Sequence, residues 1–211
     1  MTPPSTSARR PTSGASPAER AKVIRWWPVA GLALLTALGL VVGKGPTPPD
    51  DWFLAAGEAH PELGRVLLVF TDGRVVFALW AILLAIVLVR RHRRPTAVVA
   101  VAPFVAIVAA RLAKWAFGRE KDGALAYPSG HTTLAVVVLG LAVLVAGAAT
   151  WAVVAAVTAA ALGVLGQGLT YHYFTDAVGA VFLGAALVGV AGWAAGLDRC
   201  QPGADLGHRN G

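Results

Sequence analysis

Apolar residues gather along this chain into long blocks divided by short polar breaks, and the blocks set the architecture. Trp26 to Val42, Val75 to Val89, Ala97 to about Lys114, Thr132 to Ala149, Trp151 to about Leu169 and Ala177 to Leu197 each approach the length of a bilayer crossing, which takes about 20 residues. The pattern predicts an all-α, polytopic membrane protein with about six transmembrane helices in one bundle, over residues 26–197. Asp51 to Phe70, opened by Trp52 and Phe53, is expected as an interfacial helix before the second span. Residues 1–25, rich at first in Ser, Thr, Pro and Ala, are expected as a disordered cytoplasmic tail, and residues 198–211 as a second, short one. The first apolar block is long for a signal-peptide core and is expected to be a retained anchor.

Composition agrees: 56% of residues are hydrophobic and 14% charged, against about 25% charged in soluble domains. The single Cys200 excludes an intramolecular disulfide and a Cys-based structural zinc site. The net charge of +7 does not describe a nucleic-acid-binding face, because the basic residues sit in clusters beside the spans. Five Lys or Arg precede the first span, four lie in Arg90-Arg91-His92-Arg93-Arg94, and two follow the last. Positive residues collect in cytoplasmic loops, so both termini are expected in the cytoplasm of a plasma-membrane protein, with residues 43–74, 115–131 and 170–176 outside. Four of the remaining seven cations crowd into residues 111–121 on that outer side, which calls for an anionic ligand.

Two constellations carry the chemistry. Arg111, Lys114, Arg119 and Lys121 lead into Tyr127-Pro128-Ser129-Gly130-His131. Pro128 and Gly130 shape a turn, Ser129 is suited to an N-cap, and the fourth span starts at once, so backbone N–H groups and the helix dipole favour an anion there. Tyr171-His172-Tyr173-Phe174-Thr175-Asp176 opens the sixth span. If that turn is helical, Asp176 shares a face with His172, four residues earlier, and orients the imidazole. A self-satisfied His–Asp helix cap and an ordinary Pro-Ser-Gly turn are the plain alternatives for each motif alone. Asp72 and Arg74 are expected to be structural, the Trp residues to be interfacial anchors, and His60, His92 and His208 to carry no chemistry.

In this order, the basic stretch, Pro-Ser-Gly-His and His-x-x-x-Asp resemble the type 2 phosphatidic acid phosphatase superfamily, which shares its core with vanadium haloperoxidases. The resemblance covers about residues 75–197. The family's first motif, Lys, six residues, Arg-Pro, is matched by Lys114 with Lys121-Asp122, and Gly118-Arg119 matches a common inner Gly-Arg. The second motif is complete. The third keeps His172 and Asp176 but has Leu165-Gly166 where the family has Ser-Arg. The resemblance implies a lipid phosphate phosphatase acting without metal or cofactor on a membrane lipid such as a prenyl pyrophosphate, phosphatidic acid or phosphatidylglycerol phosphate. His172 would be the nucleophile, Asp176 its partner and His131 the acid–base; Lys114, Arg119, Lys121, Ser129 and Gly130 would bind phosphate. The missing arginine leaves two readings: Arg119, Lys121 or Arg111 supplies the charge, or ordinary phosphatase activity has given way to headgroup transfer onto an alcohol. A non-catalytic binder of anionic lipid is the alternative outside enzymes. Oligomeric state is unreadable.

Overall fold

A computed structural model describes the backbone of residues 17–196 and the side chains of residues 26–196. Its helices are α1 (Pro17–Val42), α2 (Pro48–Ala59), α3 (Pro61–Leu67), α4 (Gly73–Val89), α5 (Arg93–Phe117), α6 (Gly130–Val145), α7 (Thr150–Gly168) and α8 (Phe174–Ala194). A 3-10 turn, Leu68–Thr71, joins α3 to α4, and β1 (Glu120–Lys121) pairs antiparallel with β2 (Ala124–Leu125). Pro61–Val89, Arg93–Phe117, Thr150–Gly168 and Phe174–Ala194 are long and apolar enough to cross a bilayer, while Trp26–Val42 and Gly130–Val145 are shorter apolar helices. The chain is an all-α protein of membrane type, and the six apolar blocks are α1 and α4 to α8.

Two boundaries differ from expectation. Helix α1 begins at Pro17 rather than Trp26, because proline at a first turn gives up only an N–H that has no helical partner anyway. Residues 1–16 and 197–211, on which the expected tails mostly fall, lie outside the described residues. The expected single interfacial helix is two, because Pro61 follows His60, whose φ of −133° is extended; the residue before a proline is driven out of the helical region. Pro48 and Pro49 start α2, and Asp50 Oδ2 accepts hydrogen bonds from the Thr47 amide (2.9 Å) and hydroxyl (2.8 Å).

Helices α6 and α8 form the centre, α8 packing on α1, α5, α6 and α7, and α6 also on α4, α5 and α7. Where they cross, Gly184 brings α8 so near α6 that an added Cβ would stand 2.7 Å from the Val136 side chain, the close approach that small residues allow between membrane helices. Val76, Leu83, Val99, Val137 and Leu141 are buried between α4, α5 and α6. Outward, Leu40, Val89, Trp115 and Trp151 are largely exposed, an apolar rim suited to lipid rather than water.

Candidate functional site

Because the long helices alternate in direction, the connections before α2 and after α5 and α7 meet at one end of the bundle. The turn before α6 is anchored first. Tyr127 is fully buried; its hydroxyl donates to Leu35 O of α1 at 2.6 Å, and its ring fills the space left by Gly39 of α1 and Gly179 of α8. Burial raises the Tyr127 phenol's affinity for its proton, so it stays a neutral wedge. Ser129 follows as the N-cap of α6, its Oγ accepting from the Thr132 amide at 3.4 Å, and its own amide donates to Asp176 O at 3.0 Å. That bond ties Pro-Ser-Gly-His to His-x-x-x-Asp. An added Cβ at Gly130 would meet nothing within 4 Å, so open space borders the start of α6.

A buried ionic node lies beneath this junction. Arg119 is 1% exposed; one terminal nitrogen donates to Asp176 Oδ1 (2.8 Å) and Thr175 Oγ1 (2.7 Å), the other to Asp50 Oδ2 (2.8 Å) and Gly45 O (2.7 Å). Asp50 Oδ1 in turn accepts from the Thr175 amide and hydroxyl, both at 2.9 Å. Burial alone would raise the Asp50 carboxyl, but the hydrogen bonds from Thr175, Thr47 and Arg119 outweigh it and hold it below the ordinary value. Tyr173 lies over the node, with the Arg119 guanidinium 4.5 Å and the Lys121 ammonium 5.3 Å from its ring centre.

His172 sits just before Tyr173, the N-cap of α8, so it is not on the helix that its spacing from Asp176 had implied. The turn brings them together all the same: Nδ1 stands 3.8 Å from Asp176 Oδ2. That exceeds a hydrogen bond, and both atoms are buried without another partner among the described residues. The His172 amide donates to Gln167 O at 3.0 Å, closing the loop from α7. His131 and His172 line one cleft of about 380 Å³, together with Thr71, Asp72, Gln167 and Tyr171. The two histidines, forty-one residues apart in sequence, thus share a cavity at the bundle's end.

The five residues expected to bind phosphate are placed differently from one another. Arg119 is the main correction: its terminal nitrogens are taken by two carboxylates, a hydroxyl and a carbonyl, and it does not line the cleft. Lys114 donates to Leu125 O (2.6 Å) and Ala126 O (2.9 Å), holding the hairpin against α5. Lys121, half-buried on β1, has its ammonium's proton affinity lowered by burial, with Asp122, Asp176 and Asp50 opposing. Ser129 is wholly buried in its cap. Gly130, the fifth, opens α6 beside free space, and Arg111, the further candidate for the missing charge, is exposed on α5. Among the described residues no three His, Cys, Asp or Glu side chains converge as a metal site would require.

Leu165-Gly166, where the resemblance has Ser-Arg, now has a steric reading. A Cβ on Gly166 would stand 2.6 Å from the carbonyl carbon of Leu67, so the backbone at the end of α3 occupies the space an arginine stem needs. Gly166→Arg is therefore expected to destabilise by at least about 1–3 kcal/mol, the usual cost of overpacking, and to add no activity. A melting curve in detergent equal to wild type would contradict this.

Sequence reasoning missed Asp50, Thr175 and Gln167 and set Asp72 aside. Asp72 does cap α4, accepting from the Arg74 amide (2.9 Å) and Val75 amide (3.3 Å), yet it also lines the cleft. For Asp50 the available signal was Thr47-Pro-Pro-Asp50, a helix start; nothing in it pointed to Arg119. No family model, curated protein or solved structure matches the chain.

Proposed function

We propose that this protein is a lipid phosphate phosphatase embedded in the membrane. The observation that carries the reading is the meeting of His131 and His172 in one cleft, with the Asp176 carboxylate behind His172. His172 Nε2 attacks phosphorus in line, breaking the bond to the lipid oxygen, while Asp176 faces Nδ1 and offsets the cation that forms. His131, on the open side of the cleft, gives its proton to the departing oxygen and then takes one from the water that cleaves the phosphohistidine. The Gly130 amide at the head of α6 stabilises the equatorial oxygens, while Lys114 and Lys121, which do not line the cleft, contribute only as positive charges at a distance. Lys–Arg distribution supports a plasma-membrane protein with both termini cytoplasmic and the cleft outside, where acyl or prenyl chains stay in lipid and the phosphate meets water.

The test is phosphate release by purified protein in detergent with EDTA present, from a panel of prenyl and diacyl lipid phosphates. Release that withstands EDTA is expected, and none on any lipid would overturn the hydrolase reading. A second reading rests on a specific observation: among the described residues no Lys or Arg lines the cleft, and Gly166 has no room for one. A weaker cationic clamp suits a phosphodiester, with one negative charge, better than a monoester with nearly two. Headgroup transfer from a phosphodiester lipid to an added alcohol, without free phosphate, would favour this transferase over the phosphatase.

A further inference from the structure

The segment between the first two apolar blocks has no role in the chemistry proposed above, yet it enters the site. Helix α2 docks against the start of α8 by stacking Phe53 on Phe174, with ring centres 4.0 Å apart and planes 4° from parallel. Gly57 lies so close to Leu169 O that any side chain there would overlap it. On the opposite side of its first turns Trp52 is 65% exposed, whereas Asp50 is fully buried. A carboxylate drawn out of water costs several kcal/mol unless paired, and Asp50 is paired with the one guanidinium that also holds Asp176.

The geometry of that pairing has a direction. Arg119 takes Oδ1 of Asp176, leaving Oδ2 as the oxygen on the His172 side. Thr175, the residue next to Asp176, is fixed through both its amide and its hydroxyl by Asp50, and its hydroxyl also meets Arg119. Without Asp50 the guanidinium keeps the Gly45 carbonyl but has no ionic partner on its far side, and Thr175 loses both of its bonds to Asp50, so the hold on the Asp176 carboxylate is loosened. We infer that Asp50 is a positioning residue for His172: through Arg119 and Thr175 it fixes the Asp176 carboxylate that orients the imidazole. The inference rests on the phosphohistidine reading for its catalytic consequence, though not for its geometry. Asp176 facing Nδ1 favours the neutral tautomer protonated at Nδ1, which leaves the Nε2 lone pair toward the cleft. Asp50 touches neither substrate nor reacting atoms.

The experiment uses the full chain in detergent micelles, labelled with 15N-histidine, with His172 assigned by its loss in His172→Gln. At a pH where the imidazole is neutral, the ring nitrogen shifts report the tautomer. In wild type the Nδ1–H form is expected to dominate. In Asp50→Asn, whose amide would put a donor against the guanidinium, a mixture of both tautomers is expected. Asp50→Ser, which keeps a hydroxyl near the Thr175 amide but removes the charge, repeats the test where Asp50→Asn does not fold. With turnover as a second readout, kcat is expected to fall about ten- to a hundredfold with KM little changed, the scale of a misplaced catalytic group. A folded Asp50 variant with the wild-type tautomer ratio would overturn the inference. The spectroscopic readout needs no turnover, so an inactive wild type would sink the phosphatase reading alone.

Discussion

Replacing His172 with alanine is expected to lower lipid phosphate release by a factor on the order of 10⁴ or more, the scale seen when a nucleophile is removed from a covalent mechanism. The expectation follows from its placement. Of the two histidines that line the cleft among the described residues, His172 is the one backed by a buried carboxylate, Nδ1 lying 3.8 Å from Asp176 Oδ2; His131 faces the same cavity from the head of α6 and is exposed. The variant should fold, because the contacts that build this end of the bundle run through Arg119, Asp50 and Tyr127 and through the His172 backbone amide rather than its ring. Two measurements check it together: the rate of phosphate release, and trapping of acid-labile 32P on the protein from labelled lipid phosphate. Wild type should carry the label and His172→Ala should not. Label retained on His172→Ala would assign the nucleophile elsewhere, and release within tenfold of wild type would end the phosphohistidine mechanism.

How far the sequence could be read follows from which forces are local. Apolar blocks report burial in lipid, a property of each segment alone, so α4 to α8 could be located from hydropathy. The Ser129 cap could be read for the same reason: its partner, the Thr132 amide, is three residues away. Long-range partners left weaker traces. Arg119 looked like a phosphate ligand because a cation beside Pro-Ser-Gly-His invites an anion, and the anions it meets are carboxylates of the same chain, 69 and 57 residues distant. Asp50 gave no hint beyond its helix cap. The helical spacing of His172 and Asp176 pointed to the correct pair by a different route, since a turn before α8 and not a shared helix face joins them. The tight seat of Leu67 against Gly166 depends on how α3 docks, which no periodicity encodes.

Removing the Arg119 guanidinium, as in Arg119→Leu, should cost about 3–5 kcal/mol, because it strands buried charges that were paired. Asp50 and Asp176 are both fully buried, and each loses a 2.8 Å ion pair. The sign of the pH dependence makes the test sharper than a loss of stability. In wild type the Asp50 carboxyl is held below its ordinary value by the Thr175, Thr47 and Arg119 hydrogen bonds in spite of burial. It therefore binds protons more weakly folded than unfolded. Its contribution is fully present above an unfolded value of about 4 and is lost as pH falls through the folded value. In Arg119→Leu the weakest of these lowering contacts is lost while those from Thr175 and Thr47 stay, so the Asp50 carboxyl rises and its depression below the unfolded value shrinks. That variant should therefore lose less stability than wild type as pH falls through the acidic range. Melting temperatures in detergent from pH 8 to pH 4 would then fall less steeply in the variant than in wild type; parallel curves would mean that the node carries no net ionic stabilisation and that Arg119 acts through packing alone.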